Sequence, residues 1–265
     1  MSSGLIENGN RFSGLADIYN SARPSLPEYP VQLLTLYFRR KPGIVVDIGC
    51  GTGLSTSAWL GHCHKVIGVE PNGDMLRVAR LLERDNVSFV QAYSHQTGLP
   101  DESVDIVVCS QSFHWMEPDV TLSEVHRILT PNGIFATIDY DWPPILHWHI
   151  EKACGELHSL AKRIEKEHAG DPDTMRRDKA KHLESIRNSA LFRYAREIVF
   201  ANKEQCTADR LYAMALSQSS LQFALKRSPA QLEPKLAEYK ALLFNAYGQE
   251  TVAVDFCYRM RIGVK

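Results

Sequence analysis

The sequence predicts an α/β protein built on a doubly wound, mostly parallel sheet of seven strands. Three observations carry this. Short β-branched runs alternate with helical patterns between residues 43 and 141. The first run, Ile44 to Val46, ends at Asp47 and a turn with glycine at alternate positions, Gly49, Gly51 and Gly53. The second run, K-V-I-G-V-E over 65–70, also ends in an acid, Glu70. A buried strand followed by a glycine-rich turn and a helix start is where doubly wound sheets bind nucleotides, because no Cβ keeps a ligand from the backbone.

In chain order, Phe12, Leu15, Ala16 and Tyr19 recur at helical spacing, and Pro24, Pro27 and Pro30 then impose a non-helical link. A helix follows with Val31, Leu34 and Phe38 inward and Arg39, Arg40 and Lys41 at its C-terminal end, where the helix dipole favours cations. After the glycine turn a helix is expected at 54–61, then the strand 65–70. A helix carrying Met75, Val78, Ala79 and Leu82 leads to a strand at 87–92, and a fourth strand occupies 105–110. A helix at 119–130 stops at Pro131-Asn132-Gly133, and a fifth strand runs from 134 to 140. The alternation breaks at Trp142-Pro143-Pro144. Residues 148–190 read as charged helix interrupted at Asp171-Pro172, with Ala153, Leu157, Leu160, Ala161 and Ile164 as the apolar stripe. A sixth strand is expected at 195–200, helices at 207–225 and 229–247, and a last, antiparallel edge strand at 251–264. One domain follows, with N-terminal covering helices (1–42), a ligand-binding core (43–141), a helical lid insertion (142–192) and a C-terminal part (193–265).

Composition excludes some classes. Lys plus Arg number 30 and Asp plus Glu 31, for a formal net charge of −1, which gives no electrostatic case for nucleic acid or an anionic membrane. No apolar run approaches the roughly 20 residues that span a bilayer. The N-terminus lacks a basic region followed by an apolar one, so no secretory signal is expected. The six cysteines have no C-x-x-C pairing, which fits free thiols in a reducing cytoplasm. His147 and His149 flank Trp148 with no clear third ligand, so no metal is expected.

The spacing of the turn narrows its ligand. In the dinucleotide fingerprint G-x-G-x-x-G the third glycine would stand at 54, which is Leu. Glu70 suits a ribose diol, whose two hydroxyls it can accept. Asp47 would repel a pyrophosphate and makes more sense beside a cationic ligand end.

Over residues 12–140 the chain resembles the class I S-adenosylmethionine-dependent methyltransferases, specifically the small-molecule branch grouped as type 11. The motifs are D-I-G-C-G-T-G, V-I-G-V-E-P-N followed by Met75, L-P-D-E-S-V-D-I-V-V-C-S-Q-S-F-H-W, and E-V-H-R-I-L-T-P-N-G-I-F. The lead A-D-I-Y-N-S-A-R-P-S-L-P and the F-H-W resemble trans-aconitate methyltransferases and their relatives. The resemblance implies a Rossmann-like fold and S-adenosyl-L-methionine as cofactor. By position, Gly49, Gly51 and Gly53 would pack under its methionine part, Asp47 would hold the ammonium and Glu70 the ribose. Asn72 and Met75 would lie near the adenosine, Ala92 and Tyr93 by the adenine, and Gln111 by the methionine carboxylate. Tyr19 and Arg23 would close over the cofactor.

Beyond the cofactor, His114 follows the fourth strand, where the sheet's C-terminal edge opens. It is either a general base for the acceptor or, with Trp115, a pocket wall. Tyr140 and Asp141, at the end of the fifth strand, are further substrate contacts. Tyr212, Met214, Ser217, Gln218 and Ser220 are expected around a modest organic ligand. A polycarboxylate acceptor would need several cleft arginines, for which Arg23, Arg210, Arg259 and Arg261 are available. The reading is a cytoplasmic enzyme, monomer or homodimer, that methylates an O, N or C atom of a small molecule. The rivals are a non-catalytic S-adenosylmethionine-binding protein and a nicotinamide-dependent oxidoreductase.

Overall fold

A computed structural model describes residues 22–168 and 176–265. The helix expected around Phe12 to Tyr19 lies outside them. Seven strands form one sheet in the order β3-β2-β1-β4-β5-β7-β6. They are β1 (Ile44–Ile48), β2 (Lys65–Val69), β3 (Val87–Val90), β4 (Val104–Ser110), β5 (Leu129–Tyr140), β6 (Tyr194–Cys206) and β7 (Val252–Val264). The first five pair in parallel, and β7 runs antiparallel to both β5 and β6.

Alternation along the strands sorts side chains onto two cores. Val45, Val66, Ile106 and Ala136 join one face, with Leu34 of helix α1 (Glu28–Phe38) and Trp59. Val46, Ile67, Val107 and Phe135 join the other, with Leu122, Val125 and Ile128. Those three are spaced for one helical stripe and lie on α4 (Pro118–Ile128). The remaining early helices are α2 (Leu54–Ser57) and α3 (Gly73–Ala79), the latter capped by Asn72, whose side chain accepts from the Met75 amide at 3.0 Å.

The later helices are α5 (Trp148–His168), α6 (His182–Asn188), α7 (Ala208–Leu216), α8 (Ser219–Arg227) and α9 (Pro229–Tyr247). The apolar stripe of α5, including Ala153, Leu157, Ala161 and Ile164, is buried in the first core with Leu221 of α8 and Tyr239 of α9. The lid segment is thus anchored by its own hydrophobic face.

Several expectations are corrected. The helix expected at 54–61 is one α-turn, Leu54–Ser57. Ser55 and Thr56 spend their hydroxyls on Asp47, and the chain tightens into i→i−3 bonds up to Leu60 N–Ser57 O. The fifth strand begins at Leu129, beside Val104, and a register shift across Pro131-Asn132-Gly133 separates that pair from Ile106–Ile134. The helix expected to resume at 173–190 has no regular structure at 176–178, with Asp178 extended, and is then a 3₁₀ turn, Lys179–Lys181, before α6. The Arg177 amide bonds the His114 carbonyl at 2.9 Å, so this strap is held by the sheet's edge rather than by its own helix. The helix expected at 207–225 breaks at Ser217-Gln218, because the Ser217 carbonyl accepts from Arg23. The sixth strand extends to Cys206, paired along its length with β7. The last strand is not the edge: it lies between β5 and β6, and β6 is the edge.

Candidate functional site

The glycine turn is built on backbone geometry. Gly49, Gly51 and Gly53 have φ of 71°, 57° and 87°, the left-handed region that disfavours side chains. A Cβ at Gly49 would stand 2.5 Å from Ser112 Cβ, so this glycine lets β1 and the turn after β4 meet. Ser112 fixes that meeting by donating to the Ile48 carbonyl at 2.6 Å. A Cβ at Gly51 would meet nothing within 4 Å. The space in front of Gly51 is therefore open on a turn that is otherwise packed.

The two acids flank that space. Asp47 is fully buried; its Oδ2 accepts from Ser55 Oγ at 2.6 Å and Thr56 Oγ1 at 2.7 Å, while Oδ1 is buried with no partner among the described residues. Burial pushes its carboxyl up to about 6 against those two hydroxyls. Glu70 accepts from the Gly51 amide at 3.0 Å and the Asn72 amide at 2.9 Å, and burial still raises it to about 7. Both carboxyls are held short of full solvation, and a cation or hydroxyl donors would favour their ionised forms. Met75 is buried in the core, whereas Ala92 and Tyr93 are half-buried just past β3.

Gln111, with φ of 56°, follows β4 and bonds Ile138 O through its amide at 2.9 Å. Its Oε1 accepts from Lys179 Nζ at 2.6 Å, and its buried Nε2 has no partner among the described residues. That orphaned donor, the orphaned Asp47 Oδ1 and the open cradle at Gly51 fit a ligand that carries both an ammonium and a carboxylate. A zwitterionic amino-acid end meets that description.

A cleft of about 700 Å³ opens beside Gln111. It brings together six residues singled out in the sequence: Arg23, Gln111, His114, Trp115, Tyr140 and Asp141. Tyr19 lies outside the described residues. Arg23 donates to Tyr140 Oη at 2.7 Å, to Ser217 Oγ at 2.8 Å and to Ser217 O at 2.9 Å. Asp141 is ion-paired with Arg259 at 3.0 Å. Of the expected pocket residues on α7 and α8, Gln218 and Ser220 line the cleft, and Met214 is core instead. Three of the four arginines suggested for a polycarboxylate are engaged elsewhere: Arg210 with Glu204, Arg259 with Asp141 and Glu197, and Arg261 with Asp139 and Glu197.

His114 lies in the 3₁₀ turn Phe113–Trp115 and is buried. Its Nδ1 is 3.7 Å from Asp139 Oδ1. Burial and the charge of Lys179 push the imidazole well below its ordinary value, so it is neutral near pH 7. Asp139 is the hub of the region. Its Oδ1 lies 3.1 Å from Lys179 Nζ, and its Oδ2 is 3.1 Å from Arg261 and 3.0 Å from His182 Nδ1. Burial alone would raise Asp139, but Lys179 and His182 outweigh it and hold the carboxyl well below the carboxylate range. Sequence reasoning missed Lys179 and His182. Nothing local marks them, because both reach Asp139 only through the fold, His182 from 43 residues away.

Comparison with known proteins bears on the same strand-and-turn core. Residues 46–137 match the family model described as a methyltransferase domain. A Saccharomyces cerevisiae protein described as a probable S-adenosylmethionine-dependent methyltransferase is 32% identical over 132 residues, 47% of this chain and 45% of that one. The chain spans about half the length of the curated relatives it matches. A solved structure from Anaeromyxobacter dehalogenans, described as a candidate type II methyltransferase, superposes with a TM-score of 0.70 at 23% identity, covering 91% of this chain and 97% of that one. A phosphoethanolamine N-methyltransferase of Haemonchus contortus, solved with phosphomonomethylethanolamine and S-adenosylhomocysteine, superposes at 0.52 with 16% identity, covering 99% of this chain and 57% of that one. The two superpositions speak to the fold.

Proposed function

We infer that the chain carries a class I S-adenosylmethionine-dependent methyltransferase domain. From it we propose an enzyme that moves a methyl group to an O, N or C atom of a small organic molecule. The observation that carries this is the open cradle at Gly51, whose amide bonds Glu70, together with the orphaned Asp47 Oδ1 on the preceding strand and the orphaned Gln111 Nε2 in the wall of the His114 cleft.

When bound, S-adenosylmethionine supplies an electrophilic methyl on a sulfonium. Asp47 Oδ1 would take the ammonium end, directly or through water. Gln111 Nε2 would donate to the carboxylate, and Glu70 would accept from the ribose hydroxyls. Tyr19 and Arg23 would cover the site from the N-terminal side, and Asn72, Met75, Ala92 and Tyr93 would border the adenosine. Gly49 and Gly53 keep the turn close enough for those contacts. Trp115, Tyr140 and Asp141 would position the acceptor for in-line attack, a contribution of orientation rather than of bond-making. His114, neutral and with Nδ1 turned to Asp139, leaves Nε2 to take a proton from an oxygen or nitrogen nucleophile.

Isothermal calorimetry with S-adenosylhomocysteine tests the reading. One saturable site is expected, and Glu70→Ala is expected to abolish it while the far-UV spectrum is kept. No heat from a folded sample with either S-adenosylmethionine or S-adenosylhomocysteine would overturn it. A screen for transfer of labelled methyl to small-molecule pools separates a catalyst from a binder.

A further inference from the structure

The cleft beside His114 is strongly cationic, which the balanced charge of the whole chain conceals. One face of α5 presents Gly155, His158, Ser159, Lys162 and Lys166 to it, at the three- and four-residue spacing of a helix surface, with Glu165 the one acid of that helix among the lining residues. The strap adds Arg176 and Lys179. Some of these charges are answered. Lys179 pairs with Asp139, and of the three acids in the cleft wall, Asp141, Glu165 and Asp178, Asp141 is occupied by Arg259, while six lysines and arginines line the same cleft. Arg176 and Lys162 are not: among the described residues, neither has a carboxylate within 4.0 Å.

We propose that Arg176 and Lys162 bind a negatively charged group on the acceptor, a carboxylate or a phosphate monoester. The proposal rests on reading the His114 cleft as the acceptor's pocket. Asp178 acts on both cations from beyond ion-pair distance, and Asp139 on Arg176, but cations outnumber acids along the cleft; that excess of like charge raises the energy of the empty cleft, and a bound anion relieves it. The neighbouring ionisations agree. Desolvation and the Arg176 charge lower Lys162, and desolvation and the Arg23 charge lower Arg176. His158 is pushed down to about 3 by burial and by Lys162, Arg176 and Arg23; its Nε2 accepts from Trp142 Nε1 at 2.5 Å, as a neutral ring must.

Room and geometry are present as well. A Cβ at Gly155 would meet nothing within 4 Å, so α5 leaves a gap between its cations and the floor. The Arg176 guanidinium sits 5.9 Å from the centre of the Trp115 ring, and both line the cleft with His114. A planar fork and an ammonium together can take the oxygens of either anion.

The test titrates the protein, with and without saturating S-adenosylhomocysteine, with glutarate, with inorganic phosphate and with uncharged glutaramide. Heat and tryptophan fluorescence are both followed. At least one anion is expected to saturate, glutaramide is not, and the affinity should fall as salt rises. Whichever anion binds identifies carboxylate or phosphate as the group. Arg176→Gln and Lys162→Gln are each expected to weaken it about tenfold or more. Arg163→Gln, on the same helix but paired with Glu167 outside the cleft, should leave it unchanged. Failure of both anions to saturate, or unaltered binding in the Arg176→Gln, Lys162→Gln double variant, overturns the proposal. S-adenosylhomocysteine heat without anion binding would sink this inference alone, and anion binding without that heat would sink the cofactor reading alone.

Discussion

Replacing Asp139 by Asn should destabilise the protein more than any exposed charge neutralisation. Each carboxylate oxygen faces a cation, Lys179 on Oδ1 at 3.1 Å and Arg261 on Oδ2 at 3.1 Å, and Oδ2 also meets His182 Nδ1 at 3.0 Å. An amide has one acceptor, so either orientation of Asn turns an NH₂ group against Lys179 or against Arg261. Arg261 is 3% exposed and cannot turn to water. Removing one partner of a buried pair costs about 3–5 kcal/mol. With an unfolding entropy of about 2.1 cal/mol/K per residue over 265 residues, that loss lowers Tm by roughly 5–9 °C. Calorimetric scans of wild type and Asp139→Asn would measure it. Glu117→Gln serves as the control, because its pair with Arg177 is half-exposed and contributes about 0–1 kcal/mol. The pH dependence adds a second readout. A carboxyl depressed in the fold stabilises above its unfolded pKa and loses that contribution as pH falls. The gap between the two proteins should therefore hold from about pH 5 to 8 and narrow below about pH 4. A Tm within about 1 °C of wild type, or a gap that widens in acid, would refute the hub.

Two further outcomes test the cofactor side. Gly51→Ala should fold, with about 1–2 kcal/mol lost to the left-handed backbone, yet weaken S-adenosylhomocysteine at least about tenfold, because its methyl enters the open cradle; unchanged affinity would show the cradle serves something else. Asp47 and Glu70 are raised from 3.8 and 4.5 to about 6 and about 7, so the folded chain holds protons that the unfolded chain has released, and these two groups weaken the ligand-free protein as pH rises between about 4 and 7. S-adenosylmethionine binding at pH 6 should then release protons, seen as a buffer-dependent enthalpy; proton uptake would contradict the assigned contacts.

What the sequence discloses of this molecule depends on the range of each interaction. The strand–turn–helix around Asp47 and Glu70 is legible because β-branching, glycine spacing and a terminal acid are all local. The residues after β4 and β5 are legible as cleft residues because parallel strands end at one edge. Lys179 and His182 are not, since their partner Asp139 is reached only through tertiary structure. The break at Ser217 hides for the same reason: Arg23, far upstream, takes its carbonyl. The place of β7 is hidden differently, because alternation announces a strand but not its neighbours. The cationic cleft is half visible in the spacing of Gly155, Lys162 and Lys166, but the strap that completes it carries no helical signal.

The interior position of β7 sets an order on synthesis. Among the described residues the edge strand β6, residues 194–206, pairs with β7 alone, and β7 begins at Val252. A nascent chain therefore exposes thirteen residues of unmatched strand while the ribosome adds the three helices that follow. Such an edge templates pairing with other chains. Until β7 emerges, the growing polypeptide offers chaperones a long, well-defined target, and a translation stall before Val252 would leave an aggregation-prone product.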